Sequence, residues 1–146
     1  EDPLVPIIAG QHFYYIYSQL KDYRAGRRTH DIMSSMTEDL DKKMMKALAT
    51  YYSEQDWKCD AAPIGDYDKK LAERTIASGQ CTQCHGTNFI ATSGNPRVAC
   101  QKQSYLLETM LAFKAKTRKN APAKMSLFQD ISDEAIQAVS KYLAEK

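Results

Sequence analysis

Apolar residues in the second half of the chain recur every three to four positions, the spacing of one face of an α-helix. The last such run follows Ser132, whose hydroxyl can cap a helix N-terminus, and acidic residues stand at the positive end of that helix. Its apolar positions are Ile136, Val139, Tyr142 and Leu143. No stretch of the chain alternates convincingly at a period of two. The pattern therefore predicts an all-α fold.

Two further helices are predicted ahead of this one. Ser104 can cap a helix that runs to about Lys116. Its apolar face consists of Tyr105, Leu106, Met110 and Phe113. Segment 119–127 contains Pro122, so we predict an irregular loop there. An earlier helical segment, 66–78, leads directly into Cys81.

The chain contains an internal repeat. Residues 6–11, PIIAGQ, are echoed 90 positions later by residues 96–101, PRVACQ. The same offset or one residue more relates Tyr15, Leu20, Tyr23, Leu40, Ala47 and Tyr51 to Tyr105, Met110, Phe113, Ile131, Ala138 and Tyr142. We expect two homologous units of which the first lacks segment 66–85. Its counterpart would lie upstream of Glu1, so either the first unit has lost this segment or the sequence starts late.

The composition and charge of the chain disfavour some classes of function. No apolar run approaches the roughly 18 residues needed to cross a bilayer, so no transmembrane segment is predicted. The net charge is only +2, but positions 102–124 carry five lysines and one arginine against one acid. The basic residues are Lys102, Lys114, Lys116, Arg118, Lys119 and Lys124. This basic tract is either a solvated helix face or a docking surface for an acidic partner, and nucleic acid binding is disfavoured.

The sequence CTQCH, residues 81–85, carries the clearest chemical signal. A zinc site would need four ligands and would have to recruit Cys59 and Cys100. A redox dithiol of the thioredoxin type needs a preceding strand, and none is predicted. Covalent haem attachment explains the histidine as well, because the two thiols reach the two vinyl groups of a porphyrin while the imidazole binds the iron. We therefore predict one covalently bound haem c.

A sixth iron ligand has to come from farther along the chain. Met125 is our candidate because it follows Pro122 in the predicted loop, whereas Met44 and Met110 lie on apolar helix faces and suit core packing better. Histidine and methionine together leave no vacant position on the iron and raise its reduction potential. This ligand pair indicates electron transfer rather than oxygen binding or catalysis.

These residues resemble the class I c-type cytochromes, and among them the two-domain cytochrome c4 type. The matching features are Cys81 to Gly86, Asn95 to Ala99, Tyr105-Leu106, Ala112 to Lys114, Arg118 to Asn120, Met125, and Ile131 to Ile136 with Tyr142-Leu143. The resemblance covers residues 66–146 fully, and residues 3–55 are similar to the later part of the family's first domain. It implies a truncated cytochrome c-like unit over 1–58 without CxxCH, a linker over 59–65, and a haem-binding cytochrome c domain over 66–146.

The resemblance also implies the role of each site residue. Cys81 and Cys84 would bind the haem, His85 would be the proximal iron ligand and Met125 the distal one, while the carbonyl of Pro96 would orient the imidazole. In a two-haem protein Met33 would bind a second iron. A loop-packing role is at least as consistent with this sequence, and a second haem would require an upstream CxxCH.

Cys59 and Cys100 remain after the haem thiols are assigned, and Cys100 stands where the family pattern has glycine. We expect a disulfide between them, with two unpaired buried thiols as the alternative. Covalent haem and disulfides both belong outside the cytoplasm, so we expect a periplasmic protein. His12 and His30 are interpreted as surface or inter-unit residues, and Trp57 as a packing residue.

The function we expect is electron transfer between a respiratory donor and a terminal acceptor, without catalysis by the chain itself. Lys102, Lys116 and Lys124 would flank the haem edge and meet an acidic redox partner such as an oxidase, a reductase or a flavoprotein dehydrogenase. Membrane association would then be peripheral, through that partner. One alternative is a cytochrome subunit of a dehydrogenase, for example a flavocytochrome c sulfide dehydrogenase. Another is a haem enzyme or gas sensor with an open iron site.

Overall fold

The computed structural model describes residues 2–59 and 63–146, and this part of the chain forms eight α-helices and no strand, which confirms the all-α prediction. The helices are α1 (Phe13–Arg24), α2 (Asp31–Thr37), α3 (Lys42–Ser53), α4 (Lys69–Ser78), α5 (Cys81–His85), α6 (Gln103–Lys114), α7 (Pro122–Gln129) and α8 (Asp133–Ala144). The predicted linker 59–65 includes residues 60–62, which lie outside the described residues. No helix in the described ranges is both long and apolar enough to span a bilayer.

The internal repeat is visible in the order of the helices. α6, α7 and α8 begin 90 or 91 residues after α1, α2 and α3, respectively. Each trio packs in a related way, since α1 contacts both α2 and α3 while α6 contacts both α7 and α8. Helices α4 and α5 precede the second trio only, as far as the described residues extend. The candidate haem motif thus lies in a segment that has no counterpart within the described residues.

Local side-chain hydrogen bonds explain where several helices begin. Ser132 Oγ accepts a hydrogen bond from the backbone N–H of Ala135 at 3.2 Å, as predicted for the start of α8. The Asp68 carboxylate caps α4 in the same way through the N–H of Leu71 at 2.8 Å. Helix α6 begins one residue ahead of the predicted cap Ser104, and it ends at Lys114 rather than near Lys116. Differences of this size are usual at helix ends.

The predicted loop over 119–127 is wrong. Residues Pro122–Gln129 form helix α7, and Pro122 occupies its first position. Proline breaks a helix interior because it lacks an N–H donor, but the first helical turn has no partner for that donor anyway. The fixed φ of proline also suits a helix start. Met125 therefore lies on a short helix, not in an irregular segment.

The main hydrophobic core lies in the second unit, where α4 and α6 pack on α8. Ala72 of α4 and Ile136 of α8 are both completely buried. Further members of this core are Ile76, Phe89, Ala99, Leu106, Met110, Ala138, Val139, Leu143 and Ala144. These three helices form a scaffold that carries α5 and α7 at its edge.

The two units are joined by a reciprocal pair of glutamines. Gln101 pairs with the backbone of Ile7, accepting from its N–H at 2.8 Å and donating to its carbonyl at 2.9 Å. Gln11 pairs with the backbone of Arg97 through the same two contacts, at 2.8 and 3.0 Å. Both glutamines are 4% exposed. Because Ile7 and Gln11 correspond to Arg97 and Gln101 at the repeat offset of 90, the two pairs are equivalent and the junction has pseudo-twofold symmetry.

The predicted disulfide between Cys59 and Cys100 is confirmed, with Cα atoms 5.4 Å apart. It fastens the chain that follows α3 to the core of the second unit. Cys100 has a φ of +57°, and its counterpart Gly10, 90 positions earlier, has a φ of +74°. Both positions require the left-handed region, which favours glycine. Cys100 adopts this unfavourable backbone conformation, and its sulfur is bonded to the sulfur of Cys59.

Candidate haem site

The motif CTQCH forms a single helical turn with defined limits. Gln80 precedes α5 in a left-handed conformation with a φ of +52°, so the chain turns sharply between α4 and α5. Gly86 follows with a φ of +73° and ends the turn. Within this turn, Cys81 and Cys84 are three positions apart and so lie on one side of the helix.

The two cysteines of the motif are free thiols. Cys81 is half-buried and Cys84 is exposed, and burial raises the pKa of the Cys81 thiol. Cys59 and Cys100, which a zinc site would have to recruit, are bonded to each other instead. In the described ranges no three histidine, cysteine or acidic side chains cluster as metal ligands. The geometry does not favour zinc.

The imidazole of His85 is held in one orientation. Its Nδ1 donates a hydrogen bond to the carbonyl of Pro96 at 3.0 Å, and Pro96 is buried. This contact fixes the tautomer in which Nε2 carries the lone pair that can bind a metal. Burial, and next the nearby ammonium of Lys124, lower the pKa of His85, while the Pro96 carbonyl opposes this shift. A neutral imidazole is the form that binds iron.

Met125 is half-buried on α7, and α7 packs against α6. The rings of Phe113 and Phe128 stack between these helices with centroids 6.3 Å apart. Lys124, the neighbour of Met125, has its ammonium 5.6 Å from the Phe113 ring and acts electrostatically on His85. The start of α7 therefore lies on the side of the molecule that holds α5.

This donor set fits a haem c. Two free thiols lie on one turn, the imidazole of His85 beside them is oriented by the bond from its Nδ1 to a carbonyl, and helix α7 carries the thioether of Met125. A bound haem c would provide a one-electron couple at the iron. Cys81 and Cys84 would hold the porphyrin by thioether bonds, with His85 and Met125 as iron ligands.

The basic tract does not act as one surface. Arg118 is buried, with 8% of its surface exposed, and Lys114 makes an ion pair with Asp133 at 2.7 Å. Lys124 is half-buried; burial and then the Arg118 guanidinium lower its pKa to about 8, whereas Cys84 counteracts the shift. Lys102 donates to the backbone carbonyl of Asp2 at 3.0 Å. The exposed cations of the tract are Lys116 and Lys119.

Sequence reasoning missed a polar network at the junction between the units. Arg118 donates to the hydroxyl of Tyr15 at 3.3 Å, and Arg28 donates to the hydroxyl of Tyr105 at 3.2 Å. Both guanidinium groups also donate to Gln19, at 3.1 and 2.9 Å. The repeat offset of 90 relates Arg28 to Arg118 and Tyr15 to Tyr105. Extending the repeat to charged residues would have revealed these pairs.

The two tyrosines of this network have opposite pKa shifts. Burial raises the pKa of Tyr15, with the neighbouring Tyr105 as the next cause. Burial acts in the same direction on Tyr105, but the guanidinium groups of Arg28 and Arg118 together outweigh it and lower the pKa to about 8. The two guanidinium groups therefore favour the ionised form of Tyr105.

The remaining residues singled out in the sequence lie apart from this donor set. His12 Nε2 donates to the carbonyl of Ile90 at 2.7 Å, which makes it an inter-unit residue, and His30 is an exposed residue at the start of α2. Trp57 packs against the guanidinium of Arg97, whose central carbon lies 5.3 Å from the ring. Met33 is half-buried on α2.

Comparisons with known proteins agree with this picture, although no family model matches the chain. Cytochrome c4 of Thiocapsa roseopersicina is 31% identical over 156 residues, covering 97% of this chain and 78% of that protein. A thiosulfate dehydrogenase electron acceptor of Stutzerimonas stutzeri (strain A1501) is 31% identical over 153 residues, covering 95% of this chain and 69% of that protein.

The fold is similar to a solved cytochrome c4. The structure of cytochrome c4 from Acidithiobacillus ferrooxidans superposes with a TM-score of 0.87 at 24% identity, covering 99% of this chain and 90% of that one. The chain spans 66% to 78% of the length of the curated relatives it matches. On its identity to these relatives, and with the all-helical fold in agreement, the chain belongs to the cytochrome c4 family of class I c-type cytochromes.

Proposed function

We propose that residues 66–146 bind one haem c and carry electrons through it. Cys81 and Cys84 form the two thioether bonds, His85 is the proximal iron ligand and Met125 is the distal ligand. The observation that carries the proposal is the 3.0 Å hydrogen bond from His85 Nδ1 to the Pro96 carbonyl. This hydrogen bond orients the imidazole so that Nε2 is available to bind the iron, and it makes the ring a stronger ligand.

Haem-based electron transfer is the function of the cytochrome c4 family, and the arrangement of this chain suits it. His85 lies between a glycine-terminated helical turn and a buried proline, an arrangement that would restrict its movement once a haem is bound. A ligand set that stays in place keeps the reorganisation cost of each transfer small. The residues of α5 and α7 thus hold the group rather than act on a substrate.

The division of the chain follows from the same argument. Residues 1–58 form a cytochrome c-like unit without a haem motif, 59–65 link it to the second unit, and 66–146 bind the haem. The expected compartment is the periplasm, because both thioether attachment and the Cys59–Cys100 disulfide suit an oxidising environment. The exposed Lys116 and Lys119 offer cations for a weak, salt-sensitive contact with a redox partner.

Intact mass and haem content test this proposal. The chain is exported in a host that attaches haem, purified, and analysed by mass spectrometry under denaturing conditions. We expect the polypeptide plus one haem. The double variant Cys81→Ser/Cys84→Ser should lose the covalent haem, whereas Cys59→Ser/Cys100→Ser, the matched control, should retain it. An exported wild-type protein with the mass of the bare polypeptide would refute haem attachment.

The second candidate function is to accept electrons from a dehydrogenase. One relative at 31% identity is named a thiosulfate dehydrogenase electron acceptor, which describes that protein. We infer that this chain accepts electrons from a dehydrogenase of a small sulfur compound, either as a free acceptor or as a subunit. Gel filtration of the natively purified protein separates these cases, because a free acceptor elutes alone. Stopped-flow reduction by such an enzyme should slow as salt is raised.

A further inference from the structure

Helix α2 of the first unit carries a motif that the candidate haem site does not use. Residues 30–36, HDIMSSM, place one histidine and two methionines at intervals of three. His30 is the N-cap of α2, and Met33 and Met36 follow within the helix. The corresponding stretch of the second unit, 120–127, contains one methionine and no histidine. The pattern is therefore a feature of the first unit alone.

The three side chains form a row along one side of α2. Residues three apart on a helix are neighbours, so Met33 is flanked by His30 and by Met36. Thr37, at 1% exposure, marks the face of α2 that packs on α1. Met33 is half-buried, whereas His30 is exposed and Met36 is 66% exposed. One end of the row is thus fixed by packing, and the rest is open to solvent.

The donor atoms of this row are available to a ligand. In the described ranges His30 forms hydrogen bonds through its backbone, with Ser34 at 3.1 and 2.8 Å, and none through its imidazole. The two thioethers carry lone pairs on sulfur, which is a weak hydrogen-bond acceptor. Among the helices of the described part of the chain, α2 contacts α1 and no other. No neighbouring helix therefore covers the exposed end of the row.

The chemistry of these donors selects a soft metal ion. Thioether sulfur is a soft ligand that favours Cu(I), and imidazole nitrogen also binds copper. Zn²⁺ is held by thiolate, imidazole and carboxylate groups, and hard cations such as Mg²⁺ and Ca²⁺ need oxygen ligands. Two thioethers and one imidazole therefore match Cu(I) better than any of these ions.

We propose that His30, Met33 and Met36 bind one Cu(I) ion at the surface of the first unit. One imidazole nitrogen and two thioether sulfurs supply three ligands, and the ion binds without a change of oxidation state. The site is separate from the candidate haem residues, because α2 contacts neither α5 nor α7 in the described structure. The proposal therefore goes beyond haem-based electron transfer and does not rest on it.

Copper binding by the haem-loaded protein tests the proposal, because haem attachment consumes the thiols of Cys81 and Cys84. Equilibrium dialysis against Cu(I), kept reduced by ascorbate without oxygen, and elemental analysis should give one copper per chain. His30→Gln and Met36→Leu each remove one ligand. They should weaken binding at least about tenfold, since even the loss of a group that supports a ligand costs about 10–100-fold in metal affinity. Equal binding by wild type and both variants would overturn the proposal, as would a wild type that binds no copper.

The matched control is Met44→Leu, which removes a 49% exposed methionine from α3. Asp41, three residues before it, is not a soft ligand, so this variant should bind copper as tightly as the wild type. A loss as large as that of Met36→Leu would show binding to exposed thioethers in general and would contradict the assigned site. Met33→Leu keeps the side-chain volume and should also weaken binding. If it does not fold, the exposed His30 and Met36 decide the question.

X-ray absorption at the copper edge identifies the ligands directly. The copper-loaded protein should show two sulfur neighbours and one nitrogen neighbour, and a spectrum without sulfur would refute the site. If the exported protein lacks covalent haem, the same variants are compared in the Cys81→Ser/Cys84→Ser background. Failure of haem attachment then leaves the copper site to be judged by its own result, whereas a haem-loaded protein that binds no copper overturns this inference alone.

Discussion

Helices α3 and α8 occupy equivalent places in the two units, yet their surroundings differ. Both have 12 residues, and α8 starts 91 positions after α3. On α8, Ala138 is 5% exposed and belongs to the core that α4 completes. Its counterpart on α3, Ala47, is exposed, and no helix in the described part of the chain covers that face. The neighbouring Tyr51 is 60% exposed.

This difference distinguishes the three helices that both units share from the helices that carry the haem motif. The trio of helices shared by both units supplies packing and the junction between units, and it recurs with little change in spacing. The haem motif comes with α4 and α5, and α4 covers α8. The trio contributes Met125 in the second unit, and the first unit retains Met33 on the equivalent helix α2. Comparing matched positions of the two units therefore isolates what the haem site requires.

The largest contrast is expected between Met125→Ala and Met33→Ala. With the proposed ligand set, loss of the Met125 thioether would leave the iron without its distal ligand, and the reduction potential should fall by on the order of 0.1 V, within the roughly 0.8 V range that axial ligands set. Met33→Ala should leave the potential unchanged. Optical spectra and potentiometric titration of both purified variants measure this contrast.

The result for either methionine variant could contradict the assignment of Met125 as the distal ligand. An unchanged spectrum and potential in Met125→Ala would remove this residue from the ligand set and would favour a haem with an open iron site, as in a haem enzyme or gas sensor. A changed spectrum in Met33→Ala would show that the first unit also supplies an iron ligand. Retained covalent haem in both variants is the condition for comparing them.

The next contrast concerns Cys100 and its counterpart Gly10. Removing the disulfide in Cys59→Ala/Cys100→Ala should lower the free energy of unfolding by about 4 kcal/mol, given a sequence separation of 41 residues. Cys59→Ala/Cys100→Gly should recover about 1 kcal/mol of this loss, because glycine accepts the φ of +57° without strain. Denaturant unfolding compares the two variants. Equal stability would show that the left-handed backbone at position 100 carries no measurable strain.

At the junction between the units, the two equivalent glutamines should contribute similarly to stability. Gln101→Ala removes two hydrogen bonds to the backbone of Ile7, and Gln11→Ala removes two to the backbone of Arg97. Each variant leaves partly buried backbone groups unpaired and should lower the free energy of unfolding by about 1–3 kcal/mol. The two losses should be similar, and thermal unfolding can measure both. A large loss in only one variant would show that the pseudo-twofold junction is energetically one-sided.

Much of the scaffold could be predicted from the sequence because its signals are local. Ser132 caps α8 through a contact three residues away, and the repeat spacing appears again in the helix starts. The error at α7 arose because Pro122 was judged by its effect inside a helix, not at the first helical position. The disulfide between Cys59 and Cys100 was found by assigning the other two cysteines first.

The electrostatic part of the candidate site could not be predicted in the same way. Arg118 was counted as one of six surface cations, but tertiary packing buries it against Phe113 and the first unit. Nothing in the spacing of charges along 102–124 distinguishes it from the exposed Lys119. Burial of an arginine depends on partners about 100 positions away, and those partners become visible only through the repeat that relates Arg28 to Arg118.

Ala138 and Ala47 provide the most direct test of the unequal cover on α3 and α8. Ala138→Leu forces three extra carbons into the core beside α4, which should lower the free energy of unfolding by about 1–3 kcal/mol. Ala47→Leu makes the same change at the equivalent exposed position, where a surface substitution should alter stability by less than about 0.5 kcal/mol. Both helices keep a residue of good helical propensity, so packing alone distinguishes the variants. An equally large loss in Ala47→Leu would mean that a covering element packs on that face of α3 in the folded protein.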